Sequence, residues 1–125
     1  SQYNKKLPPL TAAMKISQKA AGAGFEWENI DGVWNKFAEE LEEFKQALAH
    51  ETPQQQSAEF GDVLFSLVQL ARWNNIDPAE ALQGTNQRFI QRLKKMEAFA
   101  DRPLTQYTLA ELEELWQRAK KELLT

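Results

Sequence analysis

The sequence predicts an all-α protein, a helical bundle of about five helices, and three observations support this prediction. Apolar residues recur every three or four positions along several segments, which is the period of an amphipathic helix. Three of these segments follow a helix-start signature in which a capping residue precedes a Glu or Gln by three positions. The alternating pattern of a half-buried strand does not occur in the sequence. At 125 residues the chain is long enough for one domain with its own core.

The first two helices are predicted from breaks in the sequence and from periodicity. The opening stretch SQYNKKLPP, residues 1–9, has the character of a tail or linker, so the domain is expected to span residues 10–125. The segment LTAAMKISQKAAGAG is predicted to be a short helix that ends at Gly22 and Gly24. Residues 31–50 are predicted to form a long helix with one continuous apolar stripe. That stripe consists of Trp34, Phe37, Leu41, Phe44 and Leu48.

Helices three, four and five are predicted from their first turns. Pro53 and Pro78 suit the first turn of a helix, where the missing N–H is not needed. The signature pairs are Thr52 with Gln55, Asp77 with Glu80, and Thr108 with Glu111. The third helix, roughly residues 53–75, is apolar around nearly its whole circumference. A helix of this kind lies at the centre of a bundle or in an interface between copies of the chain.

The composition excludes several classes of function. The chain has no cysteine, so disulfides, thiolate metal sites and thiol nucleophiles are excluded. A net charge of -3 without a long basic run argues against a nucleic-acid partner. The longest apolar stretch, DVLFSLVQLA, is too short and too polar to cross a bilayer, and no signal peptide is visible. The expectation is a cytoplasmic protein without a membrane partner, and the start of the chain also fits a domain of a larger protein.

Two pairs of carboxylates stand beside large apolar residues on helices two and three. Glu40 lies at the edge of the apolar stripe with Glu43 just beyond it, because helical residues three apart differ by about 60°. Their acidic neighbour Glu39 is expected to point towards solvent. On helix three, Glu59 and Asp62 share a face at the start of the apolar run. The sequence therefore predicts four acids that can converge from two helices.

Such a cluster needs compensation, and a metal ion provides it. Like charges in a poorly hydrated site repel and raise one another's pKa values. Mg²⁺ or Mn²⁺ suits oxygen ligands, whereas His50 is the single histidine that could serve zinc. E-x-x-E alone is typical of an ordinary charged helix face. Together with E-x-x-D on an otherwise apolar helix, it favours a functional metal site. The predicted metal ligands are Glu40, Glu43, Glu59 and Asp62.

Helix four carries a row of basic residues that fits phosphate binding. Arg88, Arg92 and Lys95 fall on one face at i, i+4 and i+7. Alone, this row is typical of a solvated edge whose aliphatic stems cover the core. Next to a metal site, arginine can bind phosphate oxygens through two hydrogen bonds, and Lys36, one turn before Glu40, can add a contact. Cations arranged around a polyphosphate are typical of phosphoryl-transfer sites.

The aromatic residues leave two alternatives open. Phe25 and Trp27, in the connection GFEW, form either an aromatic plug or part of a pocket that stacks on a base. Trp116 falls on the apolar stripe of helix five, so its expected role from periodicity is core packing.

At this point the sequence resembles a known family. EELEE at 39–43, a spacer of fifteen residues and EFGD at 59–62 resemble the E-E-x-x-E, spacer, E-x-x-D signature of the MazG-type nucleoside triphosphate pyrophosphohydrolases. The similarity continues through AAGAGFEW, GDVLFSLVQLAR, ALQGTNQRFIQR and ELWQRAKKE, and it covers the chain from about Leu10 to Leu124. Bacterial members commonly hold two such modules in tandem, and this sequence looks most like the C-terminal module.

The resemblance implies an all-α fold that dimerises, with helices of both subunits shaping the sites. It implies Mg²⁺-dependent hydrolysis of nucleoside triphosphates (NTPs and dNTPs) to a monophosphate and pyrophosphate by a metal-activated water. The positions that match the family's metal ligands and catalytic residues are Glu40, Glu43, Glu59 and Asp62. The basic positions that match triphosphate contacts are Lys36, Arg88 and Arg92, with Lys95 on the same face. Trp116 and Lys120 match positions near the nucleotide.

Two other functions stay open. A relative narrowed to one substrate, such as dUTP, dCTP or phosphoribosyl-ATP, would carry the same site. A non-catalytic helical interaction module would dimerise through its apolar third helix and keep its acids solvated. Substitution of Glu59 or Asp62 separates this module from an enzyme, because only the enzyme would lose metal binding and turnover.

Overall fold

The computed structural model describes residues 5–124, and residues 9–123 consist of helices and short connections. The elements are α1 Pro9–Gly22, α2 Ile30–His50, α3 Pro53–Trp73, α4 Pro78–Phe99, a 3-10 turn Leu104–Gln106 and α5 Leu109–Leu123. No strand occurs among the described residues, so the all-α prediction is confirmed. Within this part of the chain, no helix combines the length and the hydropathy that a bilayer crossing requires.

The predicted tail is described in part. Residues 1–4 lie outside the described residues, Lys5 and Lys6 are helical, and α1 begins at Pro9, one residue before the predicted domain boundary. α1 ends at Gly22, as predicted. Gly24 then has a φ of 96°, a conformation that glycine adopts without strain, and it turns the chain towards α2.

The helix starts use the predicted capping residues. Thr52 and Gln55 form a complete capping box at the start of α3, in which each side chain bonds the other residue's backbone. A second complete box, between Thr108 and Glu111, begins α5. At the start of α4 the side chain of Asp77 accepts a hydrogen bond from the backbone N–H of Ala79 (3.0 Å).

The described residues form two compact units, the first ending at Ala79 and the second beginning at Glu80. In the first unit, α1 and α2 each pack against α3. Residues 51 and 52 join α2 to α3, and so short a connection produces an antiparallel helical hairpin.

Contacts along the hairpin confirm its direction. The side-chain amide of Gln56 donates to the carbonyl oxygen of Ala47, and one turn further along α3 the ring of Phe60 lies 5.1 Å from that of Phe44. The two helices therefore run antiparallel, so that a residue later in α3 lies beside a residue earlier in α2. Continuing this register brings the next turn of α3 beside Glu40.

The buried face of α2 is displaced by one residue from the predicted apolar stripe. Its buried residues are Val33, Glu40 and Ala47, which are seven residues, or two turns, apart. Trp34 and Leu48 from the predicted stripe are more than half exposed. The hairpin causes this difference, because the residues of α2 that face α3 are those one position before the stripe residues. Glu40 consequently lies inside the helix contact and not at its edge.

α3 is buried along much of its circumference and carries one half-exposed apolar row. Its buried residues are Val63, Ser66, Val68 and Leu70. A row made of Phe60, Leu64 and Leu67 stays between 43% and 47% exposed, although around the helix it lies between the buried Val63 and Val68. The apolar circumference predicted from the sequence is therefore present, but part of it faces solvent.

The second unit is held together by α4 and α5. The rings of Phe89 and Trp116 lie 5.1 Å apart, and Met96 and Ala119 are buried. The Arg118 guanidinium lies 3.8 Å from the ring centre of Phe99. These contacts place Trp116 in the packing between the two helices, as its position on the apolar stripe predicted.

Candidate functional site

Glu40 is the central residue of the candidate site. It lies on the buried face of α2 with 7% of its surface exposed. Its Oε1 pairs with Nζ of Lys36 at 2.9 Å, one helical turn earlier. Its Oε2 is buried and has no hydrogen-bond partner among the described residues. A buried carboxylate oxygen without a donor is costly, so this atom marks a place where a ligand is expected.

The facing turn of α3 supplies two further carboxylates. Glu59 and Asp62 each bring an oxygen close to Glu40, and the three oxygens all lie within 4.8 Å of one another. Oε2 of Glu59 is also buried without a hydrogen-bond partner in the described part of the chain. Asp62 is exposed, so the cluster opens to solvent on that side. The structure thus brings together three of the four predicted metal ligands.

Glu43, the fourth predicted ligand, belongs to an overlapping group on α2. It forms with Glu39 and Glu40 a second set of carboxylate oxygens within 4.8 Å. The negative charge of Glu40, more than that of Glu59 or Glu39, raises the pKa of the exposed Glu43 carboxyl. The expectation for Glu39 was incomplete. Its side chain is exposed as predicted, but it bends back to pair with Lys36 (3.5 Å), which brings its carboxylate to the cluster.

A cavity of about 300 Å³ adjoins the carboxylates. Glu40, Asp62 and Lys36 line one end of it, and Phe25 and Trp27 from the loop between α1 and α2 line the other. The ring of Trp27 lies against Gly32 in the first turn of α2. A Cβ atom on Gly32 would be 2.5 Å from Cδ1 of Trp27, so only glycine leaves room for the ring. The sequence left open whether Phe25 and Trp27 form a plug or a pocket wall. Both residues border open space, so they form a pocket wall.

An ion pair that the sequence analysis missed fixes this loop. Glu26, between the two aromatic residues, accepts hydrogen bonds from both terminal nitrogens of Arg72 and from the indole N–H of Trp73. Nε of Arg72 donates to the buried Ser17 hydroxyl at 2.8 Å. The bonds from Arg72, above all, lower the pKa of Glu26. Arg72 is the single basic residue of α3, and a lone charge at the end of an apolar run was the signal for a buried partner.

The predicted basic contacts lie in the second unit, except for Lys36. The Arg92 guanidinium lies 5.3 Å from the ring centre of Trp116. Lys95 pairs with Glu122 at 3.1 Å, and Arg88 donates to the hydroxyl of Thr85 at 3.0 Å. Lys120 is exposed on α5. Of these residues, the structure brings together Arg92 and Trp116.

The fold and the site define a class of protein. It is an all-α protein in which a helical hairpin presents a partly buried carboxylate cluster, of the kind that binds divalent cations, beside a cavity large enough for a small molecule.

Comparison with known proteins identifies the family. A family model for the MazG nucleotide pyrophosphohydrolase domain matches residues 31–97, just over half of the chain. A nucleoside triphosphate pyrophosphohydrolase/pyrophosphatase MazG of Thermotoga maritima is 38% identical over 122 residues, which are 95% of this chain and 47% of that protein. A nucleoside triphosphate pyrophosphohydrolase of Escherichia coli K12 is 33% identical over 125 residues, which are 94% of this chain and 47% of that protein.

The chain therefore belongs to the MazG nucleotide pyrophosphohydrolase family, as the resemblance predicted. It spans just under half the length of both relatives. The matched segment contains the whole α2–α3 hairpin apart from Ile30, and so all four predicted metal ligands, and it ends within α4. Trp116 and Lys120 lie beyond it.

Proposed function

We propose that this chain hydrolyses nucleoside triphosphates, NTPs and dNTPs, to a nucleoside monophosphate and pyrophosphate, with Mg²⁺ as cofactor and Mn²⁺ as an alternative. One observation carries the proposal. Two buried carboxylate oxygens, on Glu40 and Glu59, have no hydrogen-bond partner among the described residues, and Asp62 completes a group of oxygens within 4.8 Å. Acids in this state favour a bound cation over an empty site.

The residues present fit Mg²⁺. Octahedral ligands at about 2.1 Å from the ion are about 3 Å apart when adjacent and about 4.2 Å apart when opposite, within the spread of these oxygens. The donor atoms are carboxylate oxygens, which hard cations prefer, and the chain offers no cysteine and one histidine. The residues that would hold the ion are Glu40, Glu43, Glu59 and Asp62.

The protein's own groups bind and orient the substrate around this site. The hydrogen bond to Glu40 raises the pKa of Lys36, which stays protonated and can offer a further N–H to a phosphate oxygen. When bound, the cation stabilises charge on the phosphoryl oxygens and lowers the pKa of water. Lys36 also fixes one oxygen of Glu40, so that the other stays directed at the cluster.

The other predicted basic and aromatic residues supply the remaining contacts in this proposal. Arg88, Arg92 and Lys95 contact the triphosphate, and Trp116 and Lys120 lie near the nucleotide. The stacking of Arg92 on Trp116 supports this assignment, because it holds a guanidinium in one orientation while leaving its N–H groups available.

We also propose that the enzyme is a homodimer or a higher homo-oligomer. The half-exposed row on α3, Phe60, Leu64 and Leu67, supports this because it is an apolar surface that lies between the buried Val63 and Val68.

We also propose a cytoplasmic setting, which composition supports. The absence of cysteine fits the reducing cytoplasm, and the net charge of -3 fits a small-molecule substrate better than a nucleic acid.

The test is a panel of NTPs and dNTPs incubated with about 5 mM Mg²⁺, enough to fill a weak carboxylate site, or with excess EDTA. Chromatography of the products is expected to show monophosphate and pyrophosphate with Mg²⁺ alone. Asp62→Asn should lose turnover by about a hundredfold or more, because a charged ligand is removed from an exposed position. Glu42→Gln is the matched control, since Glu42 lies in the same acidic segment but bonds to Gln46 on the surface.

The other outcomes separate the alternatives. Turnover of a single nucleotide would indicate a relative with one substrate. Diphosphate and orthophosphate as products would overturn the assigned bond cleavage. No turnover of any nucleotide, together with a stable dimer, would indicate the interaction module.

A further inference from the structure

A second hollow extends the cavity away from the carboxylates. It has a volume of about 450 Å³ and reaches α1 and Arg72. The first cavity and this hollow share five lining residues, Phe25, Trp27, Lys36, Phe65 and Gln69, so they form one continuous depression within the first unit. One end of the depression is therefore acidic, and the other lies between α1, the loop after it and α3.

The basic side chains that line this hollow are paired with carboxylates of the protein. Lys36 pairs with Glu40, and Arg72 pairs with Glu26. Apart from Gln69, the remaining walls are aromatic, aliphatic or small. A flat, uncharged group attached to a polyphosphate suits this arrangement, since the charged part would stay at the carboxylate end.

The aromatic walls are held in place. Phe25 is 85% exposed, yet its backbone N–H bonds the carbonyl oxygen of Ala20 at 3.0 Å. Glu26 ties the same loop to α3, and Gly32 leaves room for the ring of Trp27. An exposed ring on a fixed backbone offers a face on which a base can stack without first being ordered.

Gln69 supplies the polar group of this depression. Asp62, Phe65, Ser66 and Gln69 follow one another at i, i+3, i+4 and i+7, so they form a row on α3 that rises about 10 Å from the carboxylates. The side chain of Gln69 is half-buried and makes no hydrogen bond within the described residues. An amide carries both donors and an acceptor, which is what the edge of a nucleobase requires.

We propose that the depression receives the nucleobase of the substrate and that Gln69 determines specificity by hydrogen bonding to the edge of the base. Phe25 and Trp27 form the aromatic walls, and the Glu26–Arg72 pair is a positioning device for them. This inference rests on the proposed function, because it takes the polyphosphate end of the substrate to lie at the carboxylates.

The test compares Gln69→Leu and Gln69→Glu with the parent, using kcat/KM for the four ribonucleoside triphosphates in Mg²⁺. Gln54→Leu is the matched control, because Gln54 is an exposed glutamine of the same helix outside the depression. Gln69→Leu is expected to reduce the ratio of kcat/KM between the best and the poorest base by about tenfold, which corresponds to the loss of one hydrogen bond. Gln69→Glu, which keeps acceptors and loses donors, should change the order of the bases.

A second measurement does not depend on turnover. Dissociation constants of non-hydrolysable α,β-methylene triphosphate analogues, determined by calorimetry in Mg²⁺, should differ between bases in the parent and converge in Gln69→Leu. Base ratios that are unchanged in both Gln69 variants, or a parent that does not discriminate between bases, would overturn the role of Gln69.

Failure of the proposed function looks different. A parent that hydrolyses none of the nucleotides would overturn hydrolysis, and base-dependent binding that is lost in Gln69→Leu would still support the depression as a base site. Hydrolysis with unchanged base ratios would leave the function standing and overturn this inference alone.

Discussion

Glu26 and Glu40 both turn a carboxylate into the first unit, but their surroundings differ. Glu26 accepts two hydrogen bonds from Arg72, one from the indole of Trp73 and one from the next backbone N–H. Glu40 pairs with Lys36 through one oxygen, and its other oxygen has no partner among the described residues. Two acids in one small unit are thus satisfied to very different degrees.

This difference separates a structural carboxylate from a functional one. A charge that only holds the fold together is stabilised by partners within the fold, because leaving any part of it unpaired lowers stability. An acid that stays incompletely paired, beside two others, reserves its free oxygens for a ligand. Substitutions in the two clusters should therefore affect different properties.

The largest expected effect is on turnover, from Glu59→Gln. This change removes one charge from the carboxylate cluster, and we expect a loss of about a hundredfold or more in kcat with Mg²⁺. In EDTA the melting temperature should stay the same or rise, because repulsion among the acids falls. Steady-state kinetics and thermal unfolding of the same preparation measure both. Full activity in this variant would contradict the functional role of the carboxylate cluster.

The next largest effect is on stability, from Arg72→Met. Glu26 would lose its main partner while half-buried, and we expect the free energy of unfolding to fall by about 2–3 kcal/mol. Arg102→Met is the control, since Arg102 pairs with Asp101 and Glu111 near the surface and should lose clearly less stability. Urea titration measures both variants, and equal losses would contradict the structural role of the Arg72 pair.

Mg²⁺ should stabilise the folded parent by a smaller amount. A ligand at ten to a hundred times its dissociation constant adds about 1.4–2.7 kcal/mol to the free energy of unfolding. The increment should persist in Arg72→Met and disappear in Glu59→Gln, because the cation needs the carboxylate cluster and not the ion pair. Thermal unfolding with Mg²⁺ or EDTA checks this, and an increment retained by Glu59→Gln would place the cation elsewhere.

The smallest effect concerns pH. The pKa of Glu26 is lowered in the folded protein from an ordinary value of 4.5. Its stabilising contribution is therefore complete above that value and is lost as the pH falls through the lowered pKa. The stability difference between the parent and Glu26→Gln, measured by urea unfolding in EDTA, should shrink as the pH falls from 6 towards 3. A difference that is constant with pH would show that Glu26 does not titrate as a paired acid.

Local features of the fold were predictable because local chemistry determines them. Thr52 and Thr108 begin helices through contacts with residues three positions away, which a sequence displays directly. Glu40, Glu59 and Asp62 were predictable in a similar way, since helical spacing places the acids of each helix on one face.

Features that depend on packing were not predictable. The face that α2 turns inward depends on how it meets α3, and a displacement of one residue moved Glu40 from the edge of the contact to its centre. Arg72 and Glu26 are 46 residues apart, and no periodicity connects them. The bend of Glu39 towards Lys36 depends on side-chain rotation, which spacing along a helix does not fix.

The contact between Gly32 and Trp27 also makes the depression traceable from sequence. Four residues lie between them, so the sequence motif of this aromatic wall is W-x-x-x-x-G. A homologue with both the tryptophan and the glycine can keep the indole in the position that it has here. A homologue with a larger residue in place of the glycine must move the ring, and we expect it to accept a different range of bases.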